Sequence, residues 1–149
     1  NVASVAGKMD NRVIAAYQQL GFKLVVDPSV NYSGYFDARS RSITMKQIDD
    51  SVYHELGHFL AFIAGNVDKT ASFQSIFAAE KANVTAFNKA YVTQNASEYF
   101  AESVKDYILN NASLKSSRPQ TYAAVQNALN QITDAQIAKI QKIYGAFWN

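Results

Sequence analysis

Ser51-Val52-Tyr53-His54-Glu55-Leu56-Gly57-His58-Phe59-Leu60-Ala61-Phe62-Ile63-Ala64-Gly65 contains both histidines of the chain, in the pattern His-Glu-x-x-His. Residues four apart on a helix lie one turn above each other on the same face. Both imidazoles can therefore reach a single ion, with Glu55 beside them near a bound water. At this chain's own His and Glu frequencies the pattern arises by accident in roughly one shuffled sequence in a thousand. Gly65 supplies a stop, Asp50 is the expected N-cap, and the predicted helix runs from Asp50 to Ala64. Zinc is the expected metal, as one ion.

A catalytic zinc takes three protein ligands and keeps a fourth position for water. The extended motif with a third histidine needs Gly at 61 and His at 64, where this chain has Ala61 and Ala64. With no Cys and no third His, the remaining ligand is expected to be a carboxylate from a later helix. The chain has four glutamates: Glu55, Glu80, Glu98 and Glu102. Glu98 and Glu102 are spaced i, i+4 on a helix predicted over Ser97 to Leu109, so one can bind metal while the other accepts a hydrogen bond from a ligand imidazole. Glu80 fits this geometry less well.

Outward from this helix the pattern changes character. Val5, Met9, Val13, Ala16, Tyr17 and Leu20 recur at helical spacing ahead of Gly21, which predicts one helix over Val5 to Leu20. Phe22 to Val26, Tyr35 to Ala38 and Ser42 to Lys46 read as short strands, the last being the expected sheet edge along which an extended substrate binds. After Asp49 every segment reads as helix: Ser72 to Asn83, Ser97 to Leu109, Gln120 to Ile132 and Asp134 to Trp148. The expected class is α+β, a small N-terminal sheet with an active-site helix and a C-terminal helical bundle, in one domain over 1–149. Ile137, Ile140, Ile143, Tyr144, Phe147 and Trp148 form an apolar stripe on the last helix and are expected in the core.

Composition narrows the function classes. The chain has 149 residues, 48% of them hydrophobic and 17% charged, enough to build a core. A net charge of +2 without a basic stripe argues against nucleic acid as a partner. The longest apolar run, Phe59 to Gly65, is far short of the roughly 20 residues of a membrane span. The absence of Cys excludes disulfides and a cysteine nucleophile.

The segment Glu98-Tyr99-Phe100-Ala101-Glu102, with Tyr91 seven residues before it, resembles the second zinc motif of the lethal factor-like metallopeptidases, a family related to the clostridial Pro-Pro endopeptidases. Phe73-Gln74-Ser75-Ile76-Phe77-Ala78-Ala79-Glu80 and Arg118-Pro119-Gln120-Thr121-Tyr122 are similar to helical segments of the same proteins. The resemblance implies a zincin-like fold and a zinc metalloendopeptidase of the gluzincin type. His54, His58 and Glu98 would be the zinc ligands and Glu55 the general base acting on a zinc-activated water. Tyr91 would stabilise the transition state and Glu102 would support a ligand histidine. Judged without the resemblance, Tyr91 is one of nine tyrosines and reads as packing. The resemblance further implies a secreted bacterial enzyme acting on a peptide or protein substrate, outside the cell or delivered into a host cell. The alternative is a catalytically inactive zinc-binding module of a larger toxin. The loop Asp27 to Gly34 is short and the sole Trp is Trp148, so a Pro-Pro preference is not carried over.

Overall fold

The computed structural model describes residues 1–148. The first expectation it corrects is the helix over Val5 to Leu20. Helix α1 (Val2–Val5) ends at a turn through Gly7, and α2 (Asn11–Gln19) starts afresh behind Asp10. The Asp10 carboxylate accepts the Arg12 backbone N–H at 2.8 Å and also holds the Arg12 guanidinium, which makes a new helix start there. Ala6 and Met9 are still buried, so the apolar spacing is satisfied by a turn followed by a helix. Gly21 ends this segment with φ +81°, a conformation that favours glycine.

Strands β1 (Lys23–Val26), β2 (Gly34–Asp37) and β3 (Ser42–Met45) form one sheet in the order β1-β3-β2. β1 runs parallel to β3, with Lys23 opposite Ser42, and β2 runs antiparallel to it, with Gly34 opposite Met45. β3 is therefore the middle strand, and the expectation that it forms the edge is wrong. Burial gives the reason: Ile43 and Met45 are fully covered, while Val25, Val26 and Tyr35 on the outer strands are exposed. The Tyr17 hydroxyl is inserted between β1 and β3, accepting from the Ile43 N–H at 3.1 Å and donating to the Lys23 carbonyl at 2.6 Å.

Helix α3 (Ser51–Ile63) carries the His-Glu-x-x-His motif, and eleven of its thirteen residues are buried. Asp50 precedes it but makes no side-chain cap; Asp49 accepts the Ser51 backbone N–H instead, at 3.0 Å. Phe59, Phe22, Tyr17 and Phe36 pack edge to face or stacked between α3 and the sheet. Trp148 closes this cluster, with its indole N–H on the Ala38 carbonyl at 3.0 Å.

The remaining chain is helical. α4 (Ala71–Glu80) stops at Glu80 and continues as a 3-10 turn, Lys81–Asn83, so the helix expected to Asn83 is shorter. Two helices that the sequence reading missed, α5 (Lys89–Val92) and α7 (Asn111–Ser117), flank α6 (Ala96–Leu109). α8 (Pro119–Asn130) and α9 (Asp134–Trp148) follow. The buried Glu80 accepts from the backbone N–H groups of Gln120 (3.0 Å) and Thr121 (2.8 Å) and from the Thr121 hydroxyl, which ties α4 to the start of α8. Thr121 in turn meets the Tyr99 hydroxyl at 2.6 Å, so the same network holds α6 in place. Glu80 is thus committed to a helix cap and lies outside the site. Of the α9 stripe, Ile137 and Ile140 are buried as expected, but Ile143 and Phe147 face solvent. Among the described residues no helix is long and apolar enough to cross a membrane.

Candidate metal centre

Two helices build the centre. α3 presents His54 and His58 from successive turns, their ring centroids 5.0 Å apart. α6 presents Glu98 from its first turn, where Asn95 caps the helix by accepting the Glu98 backbone N–H at 2.8 Å. The Glu98 Oε1 atom lies 3.2 Å from His54 Nε2 and 2.8 Å from His58 Nε2. One ligand atom from each of the three residues falls within 4.8 Å of the others. One turn further along α6, Glu102 takes up His54 Nδ1 at 2.8 Å.

This arrangement fits a metal ion on its own geometry. If Nδ1 of His54 donates to Glu102, the Nε2 lone pair points at the lone pairs of the Glu98 carboxylate. Three electron-rich atoms then converge on one point and repel each other unless a cation sits among them. Two imidazole nitrogens and one carboxylate oxygen are the donor set of an open zinc site.

The same convergence of acceptors favours any cation there, a proton on His54 included. Burial opposes charge on His54, but hydrogen bonds with Glu102 and Glu98 outweigh it and push its pKa up to about 9. Burial raises the Glu98 carboxyl, yet the two imidazoles hold it well below the usual carboxylate range. Glu55, buried beside them, is raised by desolvation, an effect that His54 and His58 reduce.

Glu55 and Tyr91 flank the ligands. The Tyr91 hydroxyl donates toward Glu98 Oε2 at 3.4 Å, and the residue is 55% exposed. Burial and the negative charge of Glu98 raise its pKa and keep it neutral. A cleft of about 360 Å³ is lined by Tyr32, Gly34, His54, Glu55, Tyr91 and Lys105 among others. The structure thus brings together all six residues singled out in the sequence: His54, Glu55, His58, Tyr91, Glu98 and Glu102.

Residues 10–128 match the family model described as anthrax toxin lethal factor, N- and C-terminal domain. The chain belongs to this family. The lethal factor family domain is also similar to the Pro-Pro endopeptidase of Clostridioides difficile (strain 630), 41% identical over 78 residues. That match covers 50% of this chain and 34% of the relative's length. The resemblance carried by Tyr91, Glu98 and Glu102 is borne out at the level of the family.

Two glycines that shape the site in this lethal factor family domain escaped the sequence reading. A Cβ on Gly34 would stand 2.9 Å from Glu55 Cγ, so the bare backbone is what lets β2 lie against Glu55. A Cβ on Gly57 would collide with the backbone of Ala101, so α3 and α6 meet at their closest there. A glycine opening a strand, and one inside an otherwise apolar helix, were the available signals.

Proposed function

We propose that residues 1–149 form one zinc metallopeptidase domain, an endopeptidase secreted by a bacterium. The observation that carries this reading is the convergence of His54, His58 and Glu98, with a desolvated Glu55 beside them and a cleft that His54, Glu55 and Tyr91 line. A zinc ion held by those three residues would supply Lewis acidity toward a water molecule and the scissile carbonyl. Glu55 takes the proton from that water and passes it to the departing amine. Desolvation raises its pKa, which makes the carboxylate a stronger proton acceptor than an exposed one. The neutral Tyr91 phenol donates to the oxygen on which negative charge develops, a role worth about 3 kcal/mol for one such donor. Glu102 holds the His54 ring through Nδ1 and fixes its tautomer.

The substrate lies extended along the outer edge of β2. Among the described residues β2 pairs only with β3, and its first residue, Gly34, adjoins Glu55. The test is cleavage of a diverse peptide library by the zinc-loaded protein beside Glu55→Gln, with and without a chelator. Cleavage by the wild type, loss in the variant and loss on chelation support the reading. A zinc-loaded wild type that cleaves no peptide would turn it toward a metal-binding module without hydrolytic activity.

A further inference from the structure

The two imidazoles of the centre are held unequally. His54 passes its Nδ1–H to Glu102, whereas His58 uses Nε2 toward Glu98 and its Nδ1 makes no hydrogen bond among the described residues. Histidines that ligate a metal almost always donate their other N–H to a carboxylate, carbonyl or water. Ala61, one turn beyond His58, offers no acceptor.

His58 also forms one wall of a separate cavity of about 170 Å³, which none of His54, Glu55 and Glu98 lines. Another wall is Asp68, only 5% exposed. Its carboxylate makes no hydrogen bond or ion pair among the described residues, although Lys69, Asn66 and Ser97 line the same space. Among the described residues every fully enclosed side-chain nitrogen or oxygen has a partner, so the His58 Nδ1 and the Asp68 oxygens each keep some contact with solvent space.

The chain is turned to bring Asp68 there. Gly65 (φ +77°) and Asn66 (φ +58°) both adopt the left-handed region, and the Asn66 N–H closes on the Ala61 carbonyl at 2.9 Å. The 3-10 turn Val67–Lys69 then lays Asp68 back against α3. A carboxylate buried without a partner is costly, and packing alone gives no reason for one.

We propose that Asp68 is a positioning residue for His58, its carboxylate accepting from a water in this cavity that in turn accepts the His58 Nδ1–H. Asp68 thereby does for His58 what Glu102 does for His54. The cavity is roomy enough for such a water, and His58, Asp68, Asn66 and Ser97 supply the several polar partners that a buried water needs. This inference rests on the zinc reading above.

The test compares zinc affinity, by competition with a chromophoric chelator, in the wild type, Asp68→Ala and the near-isosteric Asp68→Asn. Proton NMR of the zinc-loaded proteins follows the two imidazole Nδ1–H signals, and with two histidines in the chain the assignment is simple. Asp68→Ala is expected to weaken zinc binding by about tenfold or more and to lose the His58 signal to solvent exchange, while the His54 signal persists. Asp68→Asn, which keeps one acceptor oxygen, is expected to fall between. Unchanged affinity and an unchanged His58 signal in both variants would overturn the inference and leave the zinc reading standing. A wild type that binds no zinc would overturn both.

Discussion

Gly57 of α3 rests directly on the backbone of Ala101 of α6: a Cβ at position 57 would lie 2.6 Å from the Ala101 carbonyl oxygen and 2.7 Å from its Cα. The contact falls between His54 and His58 on one helix and between Glu98 and Glu102 on the other, so it sets how closely the two halves of the centre approach. Gly57→Ala gains about 1 kcal/mol of helix propensity. It also creates a clash with backbone, which no side-chain movement relieves, and overpacking of this kind costs about 1–3 kcal/mol or more. Because the clash is with backbone, the cost is expected at the upper end of that range, a net loss of about 2 kcal/mol by urea denaturation, together with weaker zinc binding as the helices separate.

Gly34→Ala is a different case, because the atoms it meets are side chains: Glu55 Cγ at 2.9 Å and Met45 Sδ at 3.0 Å. These can yield, so the protein is expected to fold and to retain zinc while Glu55 is displaced. Displacement of a reacting group by about 1 Å can cost 100-fold in rate. Steady-state kinetics should show the loss in kcat with zinc content unchanged.

Tyr91→Phe removes a hydroxyl from a half-exposed side chain and leaves the core untouched. If the phenol donates to the developing negative charge, kcat falls about 100-fold with KM little altered. A tyrosine that merely packed would leave both constants in place.

The Glu80 cap on α8 predicts a stability effect without a catalytic one. Glu80→Gln keeps one acceptor oxygen but turns an NH2 group toward the N–H donors of Gln120 and Thr121. The expected cost is about 2 kcal/mol, read as a lower denaturation midpoint, with one zinc per chain still bound.

How much of this was legible in the sequence depended on periodicity. His54 with His58, and Glu98 with Glu102, each share a helix face, so spacing alone placed them correctly. Strand order has no such signature: nothing in Ser42 to Lys46 says that β1 pairs on its far side, so the middle strand reads as an edge. The apolar spacing of Val5 to Leu20 reported burial faithfully but not the continuity of the backbone, which Asp10 interrupts. α5 is too short for any period to show, and α7 carries a single buried residue, Leu114. Asp68 follows two left-handed residues, and its burial could not be read without them.

The Asp10 cap carries a pH dependence. Its hydrogen bond with the Arg12 side chain lowers its pKa from an ordinary value of 3.8. A carboxyl whose folded-state pKa is depressed adds stability above the unfolded value and loses it as pH falls through the folded one. Asp10→Ala is therefore expected to cost about 1 kcal/mol at pH 7, and the difference from the wild type is expected to shrink as the pH falls below 3.8. Thermal melts across that range give the comparison.

Bound zinc per chain, measured on metal-loaded and desalted protein, addresses the central claim that three side chains of two helices share one ion. One zinc per chain is predicted for the wild type and for Glu55→Gln, with none retained by His54→Ala, His58→Ala or Glu98→Ala. Full retention by a folded Glu98→Ala protein, or no zinc in the wild type, would contradict the account.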